Sequence, residues 1–224
     1  MPRLKVCGIR DAAFAVEAAR RGVDFLGLIF AKASPRRVTV EEARRIVAAV
    51  SEWHASQPAS AAGGPPPAPR FVGVFVEQTV DEILAISGTV PIDVVQLHRV
   101  CEADEVPRLK AAGYEVWQLG TVPEELGTVP GDAVLLDGRD GARSGGTGRR
   151  ADWSLVEPLR RAGLRVVLAG GISSANIAAA AATGADVIDV NSSLETSPGV
   201  KSVALLDELL KSLSFTNAVI DTTN

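Results

Sequence analysis

The sequence predicts an α/β protein built as a single (β/α)8 TIM barrel, and three observations point there. Short β-rich runs alternate with amphipathic helical stretches from end to end. Most of those runs are continuously apolar, as strands are when both faces of a parallel sheet are covered. Eight such strand–helix pairs fit within 224 residues, inside the usual size range of this architecture. A doubly wound open sheet is the alternative. It usually has fewer strands and a glycine fingerprint after the first, whereas here Cys7-Gly8-Ile9-Arg10 follows and no GxGxxG occurs.

Strands are expected at residues 4–7, 24–30, 71–76, 94–98, 116–119, 133–137, 166–169 and 187–190. Between them, Ala12, Ala15, Val16 and Ala19 recur at helical spacing. Thr39 followed by Glu42 is a capping-box pattern that opens a second helix over 40–50. Ile83 and Ile86 suggest a third helix, and Leu109 closes a fourth that Pro107 begins or bends. Residues 123–126 make at best a short fifth. Leu155, Val156 and Leu159 mark a sixth, and Ile177, Ala178 and Ala181 a seventh. Val203, Leu206, Leu210 and Leu213 line the last. The barrel is expected over 1–215. It carries a Pro/Ala/Gly-rich insertion at 56–69, between helix 2 and strand 3, and a polar, frayed tail at 216–224.

Composition narrows the function. The formal net charge is −4 and the basic residues are scattered, which argues against a nucleic-acid partner. The 46 % apolar content is ample for a large core. Cys7 and Cys101 make no disulfide framework, and two free thiols in a reducing compartment is the plain reading. The N-terminal residues lead straight into a strand pattern without a charged-then-apolar signal segment. No apolar run approaches the roughly 18 residues of a membrane span. The expectation is a cytoplasmic protein with no membrane partner; a homodimer stays open.

In this architecture the active site lies at the C-terminal ends of the strands. Strand one ends there in Cys7, strand two leads to Ser34-Pro35-Arg36, and strand four ends in Gln96-Leu97-His98. Strand six ends in Asp137 and is followed by the glycine-rich Gly145-Gly146-Thr147-Gly148. Strand seven ends in Ala169-Gly170-Gly171-Ile172, and strand eight in Asp189-Val190-Asn191-Ser192-Ser193. Glycines suit a phosphate because backbone N–H groups must converge on it and side chains would block the approach. Gly170, Gly171, Ser192 and Ser193 occupy the common phosphate position of the fold, after strands seven and eight. Each residue also has a plain reading. Cys7 is a small buried side chain, Asp137 a helix cap, His98 a satisfied core histidine and Arg36 a solvated loop charge. Their placement on one rim favours a site for a small phosphorylated substrate.

These motifs resemble those of the phosphoribosylanthranilate isomerase family of tryptophan biosynthesis. The matching pieces are Lys5-Val6-Cys7-Gly8-Ile9-Arg10, Gly27-Leu28-Ile29-Phe30, Ser34-Pro35-Arg36-Arg37, Val72-Gly73-Val74-Phe75-Val76 and Gln96-Leu97-His98. They continue with Leu135-Leu136-Asp137, Gly145-Gly146-Thr147-Gly148, Asp152-Trp153, Leu168-Ala169-Gly170-Gly171-Ile172 with Asn176, and Pro198-Gly199-Val200-Lys201. The resemblance implies an Amadori rearrangement of N-(5′-phosphoribosyl)anthranilate that needs neither metal nor cofactor. It implies Asp137 as general acid and Cys7 as general base, the thiolate being favoured by helix dipoles and by Arg36. Arg36 would pair with the anthranilate carboxylate, and Asp189 would hold a substrate hydroxyl. His98, Gly146, Gly170, Gly171, Asn191, Ser192 and Ser193 complete the expected binding set.

Five positions depart from the family pattern. Arg99 stands where a glycine is usual, Asn191 and Ser193 replace a serine and a glycine, Ser202 replaces an aspartate, and the often aromatic position before Asp152 is Ala151. They point to a diverged member. The alternatives are a paralogue acting on a related anthranilate-type amino sugar and a non-catalytic phosphate-ligand binder. An enzyme for the corresponding histidine-pathway aminoaldose would have aspartate where this chain has Cys7.

Overall fold

The structure is a computed structural model and describes residues 1–58, 67–120, 131–138 and 151–220, with side chains to 214. The eight strands are β1 (Arg3–Val6), β2 (Phe25–Ile29), β3 (Arg70–Phe75), β4 (Val94–Leu97), β5 (Glu115–Leu119), β6 (Ala133–Leu136), β7 (Val166–Leu168) and β8 (Val187–Val190). Each pairs in parallel with its neighbours, and β8 closes the barrel onto β1 in the register Lys5↔Asp189 and Val6↔Val190. The described helices are α1 (Ala12–Arg20), α2 (Val40–Ala55), α3 (Val80–Ser87), α4 (Glu105–Ala111), α5 (Val156–Arg161), α6 (Ile177–Ala182) and α7 (Val203–Ile220). A short antiparallel hairpin, β9 (Glu195–Ser197) and β10 (Val200–Lys201), follows β8.

Local chemistry explains where the helices start. Asp11 accepts from the N–H groups of Ala13 and Phe14 and opens α1. The expected Thr39–Glu42 capping box is formed, and Thr79–Glu82 makes a second one at α3 that the sequence reading missed. Pro107 sits in the first turn of α4, where a missing N–H costs no helical bond. The tail needs correction, because α7 runs through Ile220 and past the expected boundary at 215. Its sequence contains neither glycine nor proline, so nothing local stops the helix there. The expected helix at 123–126, the Gly145–Gly148 loop with Gly146, and residues 59–66 of the insertion lie outside the described residues.

Alternation along the strands divides the apolar residues into two cores. Val6, Leu26, Leu28, Val95, Leu97, Val134, Leu168 and Ile188 face the helices. Phe25, Val72, Val94, Trp117, Leu135, Val167 and Val187 fill the barrel. The N-terminal end is plugged by Glu115, which accepts from Arg70 at 2.6 Å, Trp117 at 2.7 Å and Arg165 at 2.9 Å. Three polar side chains are nonetheless buried in strands of this barrel: Lys5, Gln96 and Asp189. Among the described residues no helix is long and apolar enough to cross a membrane.

Candidate active site

Cys7 follows the last residue of β1 and is held by its N–H, which donates to Val190 O at 2.9 Å. It lies on the same side of the strand as Lys5 and is only 5 % exposed. Gly27 of β2 makes room for it: a Cβ at that position would stand 3.0 Å from both Cα and Sγ of Cys7. Burial pushes the Cys7 thiol above its ordinary pKa, opposed by the charges of Lys5 and Lys201 and reinforced by that of Asp189. Position on strand one was legible in the sequence; the burial that disfavours the thiolate was not.

Positive charge reaches the thiol from two clusters, one on Lys5 and one on Lys201. On the barrel side, the Lys5 ammonium donates to Asp189 Oδ2 at 2.6 Å, with Lys5 fully buried. Burial works against the charge of Lys5, but the carboxylate of Asp189 and the neighbouring Cys7 outweigh it and leave its pKa raised. In the second cluster, Glu195 of β9 collects two cations. Arg36 donates to it from Nε and Nη2, each at 2.8 Å, and Lys201 donates at 2.9 Å. Burial alone would raise the Glu195 pKa, but these bonds outweigh it and hold the carboxyl below its ordinary value. Lys201 also donates to the carbonyl and side-chain oxygens of Asn191, at 2.9 and 2.8 Å.

This network changes the roles expected for two residues. One fork of Arg36 is already filled by Glu195, which leaves the other edge of the guanidinium, with Nη1, as the one open to a carboxylate. The side-chain oxygen of Asn191 is engaged by Lys201 and shapes the loop after β8 from within. Asp189 is paired with Lys5 through one oxygen, while its Oδ1 is buried without a hydrogen-bond partner. That leaves an acceptor for a hydroxyl.

Across the mouth, Asp137 follows β6 and its Oδ2 lies 2.9 Å from Nε2 of His98, which follows β4. His98 therefore orients Asp137, a part the sequence reading did not assign to it. Gly170 packs against the same carboxyl. With φ at +87°, its missing Cβ would fall 2.7 Å from Asp137 Oδ1 and 2.6 Å from Gly138 N. Glycine here is required by both backbone and space.

The loops after β7 and β8 are joined. Ser193 Oγ donates to Ile172 O at 2.6 Å, and Asn176 locks the first loop by accepting from Ser173 N at 2.8 Å and donating to Gly171 O at 3.0 Å. Ser192 and Ser193 lie in a 3-10 turn, and no described non-glycine residue has positive φ. Serine therefore fits where the family has glycine, without backbone strain. Gly171 and Ser192 are exposed at the rim. Arg99 turns away from the mouth and forms a two-pronged pair with Glu105, 2.5 Å at each contact.

The family model for N-(5′-phosphoribosyl)anthranilate isomerase matches residues 4–212. The chain belongs to this isomerase family. A relative named N-(5′-phosphoribosyl)anthranilate isomerase, from Campylobacter jejuni, is 35 % identical over 216 residues, covering 95 % of this chain and 99 % of its own. The phosphoribosyl anthranilate isomerase of Thermus thermophilus superposes with a TM-score of 0.76 at 32 % identity, over 95 % of this chain and 98 % of its own. A further isomerase structure, in complex with reduced 1-(o-carboxyphenylamino)-1-deoxyribulose 5-phosphate, gives 0.75 at 27 % identity, over 96 % of this chain and all of its own. Family membership bears out the barrel and the resemblance read from the sequence. Lys5, Gly27, Glu195 and Lys201 were not among the expected site residues. A charged residue inside the apolar run Leu4-Lys5-Val6 was the available signal for the first.

Proposed function

We propose that this chain rearranges N-(5′-phosphoribosyl)anthranilate to 1-(2-carboxyphenylamino)-1-deoxyribulose 5-phosphate, with Asp137 as general acid and Cys7 as general base. One observation carries the assignment. Asp137 follows β6 and Cys7 follows β1, and the two strands between them around the barrel, β7 and β8, carry the joined loops suited to a phosphate. A phosphate seated there sets the sugar between an acid and a base.

The chemistry follows from that placement. Asp137, steadied by His98, gives its proton to the furanose ring oxygen, and the ring opens to an iminium ion. The iminium acidifies the C2′ proton, which the Cys7 thiolate removes to form an enolamine. Tautomerisation of the enolamine yields the ketone. The open edge of Arg36 faces the anthranilate carboxylate, and Asp189 Oδ1 accepts a sugar hydroxyl.

Turnover of freshly made substrate, followed by loss of its fluorescence, tests the reading with Cys7→Ala and Asp137→Asn beside the unaltered protein. General acid–base residues contribute about 10²–10⁴-fold each, and losses of that size are expected. Turnover undiminished in either variant refutes the assignment. Binding of a product analogue without turnover in the unaltered protein identifies a non-catalytic binder.

A further inference from the structure

The acid–base scheme leaves Lys5 without a part. An ammonium inside a barrel is costly to bury unless it is paired and hydrogen-bonded. Its partner Asp189 stands opposite it in the β1–β8 register, and the pair is 2.6 Å apart. A bond made for stability alone would be closed between its two members. This one is not, because Cys7 stands two residues along from Lys5 on the same face of the chain, so the buried ammonium and the buried thiol share one side of the barrel and the charge of Lys5 acts on the sulfur.

The other charges around the thiol are committed elsewhere. Lys201 of β10 spends its three N–H donors on Asn191 O, Asn191 Oδ1 and Glu195 Oε1. Arg36, in the segment after β2, is held on Glu195 of β9. Asp189 of β8 carries negative charge and opposes ionisation of the thiol. Lys5 has the same three donors as Lys201 and gives one to Asp189. Arg36 keeps its Nη1 edge open toward a substrate carboxylate, so Lys5 is the cation with unspent donors inside the barrel, on the cysteine's side of the strand.

We infer that Lys5 is the positioning residue that supplies the counter-charge for the Cys7 thiolate, and that Asp189 sets how much of that charge the sulfur receives. Lys5 keeps its own proton throughout. The thiol releases its proton to water, the ammonium at its side stabilises the thiolate left behind, and the C2′ proton later returns sulfur to the thiol. A substrate hydroxyl donating to Asp189 Oδ1 would draw the carboxylate toward itself and leave more of the Lys5 charge to the sulfur. Ionisation is thereby coupled to a filled site.

The inference rests on Cys7 as the base, but its test does not depend on turnover. Thiolate absorbance in the ultraviolet is titrated against pH in a Cys101→Ser background, with Cys7→Ala subtracted. In Lys5→Met/Asp189→Asn both charges leave together, so neither remains buried alone. A nearby opposite charge is worth about 1–3 pKa units, and the loss of the Asp189 charge offsets part of that, so the Cys7 midpoint is expected to rise by less than the full effect, about half a unit to one unit. Asp189→Asn alone keeps the ammonium and removes the opposing carboxylate, so its midpoint is expected to fall. Shifts of opposite sign are not produced by a general loosening of the fold. Should the double variant fail to fold, Lys5→Gln/Asp189→Asn removes the same two charges and leaves a polar pair in their place, and its midpoint is read instead. Unmoved midpoints, or a rise in Asp189→Asn, overturn the inference; a Cys7→Ala protein that turns over overturns the base assignment instead.

Discussion

Replacing Gly27 by alanine tests how closely the barrel defines the position of Cys7. Gly27 lies in the middle of β2 and has no left-handed backbone, so alanine brings no conformational penalty there. The perturbation is one methyl group. It would stand 3.0 Å from Sγ, 3.0 Å from Cα and 3.3 Å from Cβ of Cys7. Ordinary heavy-atom contact is about 3.5–4.0 Å, so the two must separate by about 0.5–1 Å. Overpacking of this kind costs about 1–3 kcal/mol of stability. A misplacement of about 1 Å at a reacting group costs about 10²-fold in rate, or about 2.7 kcal/mol of barrier. Gly27→Ala is therefore expected to fold with a lowered melting temperature and to lose about 10- to 100-fold in kcat, with KM changed little. Steady-state kinetics on freshly made substrate, beside a thermal melt, measures both. A folded variant with full kcat refutes the claim that β2 positions the base.

Gly170→Ala should harm the acid in the same way and with greater cost to folding, since it adds about 1–2 kcal/mol of left-handed strain to the clash with Asp137. Its kcat, read beside its melting temperature, should fall further than that of Gly27→Ala. Arg36→Lys loses the two-pronged bond to Glu195 and the fork offered to a carboxylate, so kcat/KM should drop by about 10- to 100-fold, the worth of one charge-assisted hydrogen bond. Glu195→Gln should cost about 3 kcal/mol at neutral pH by leaving Arg36 and Lys201 without their carboxylate. The Glu195 carboxyl is held below its unfolded pKa of about 4.3, so its contribution is present above that pH and is lost as pH falls through the lower folded value. Melts of the two proteins should accordingly converge in acid, and a constant gap down to low pH would contradict the pairing. Arg99→Gly restores the family's usual residue; because Arg99 faces Glu105, kcat should stay unchanged while stability falls by about 1 kcal/mol.

The barrel was legible because its strands are buried on both faces and its helices on one, and each burial pattern leaves a different periodicity in the chain. Seven of the eight strands shift by a single residue at one or both ends, and 187–190 falls as expected. The end of α7 was missed because a polar composition at 216–224 says little about where a helix without glycine or proline stops. The positions of Cys7, Asp137, His98 and Arg36 past the strand ends were legible as well, since the architecture puts strand ends at one face whatever the side chains do there.

By itself, then, the sequence determined the family, the fold and the strand that brings each reactive group to the mouth, because those depend on order and spacing along the chain. Only the tertiary structure decided what each group meets. Lys5 and Asp189 are 184 positions apart and in contact, as are Arg36 and Glu195 at 159. The bond between Asp137 and His98 crosses 39. A pairing that closes such distances depends on how the barrel shuts on itself, and with it go the burial of Cys7, the filled fork of Arg36 and the carboxylate on the buried ammonium of Lys5. The sequence showed that a cysteine stands at the end of strand one; whether it ionises depends on contacts that exist only after β8 has joined β1.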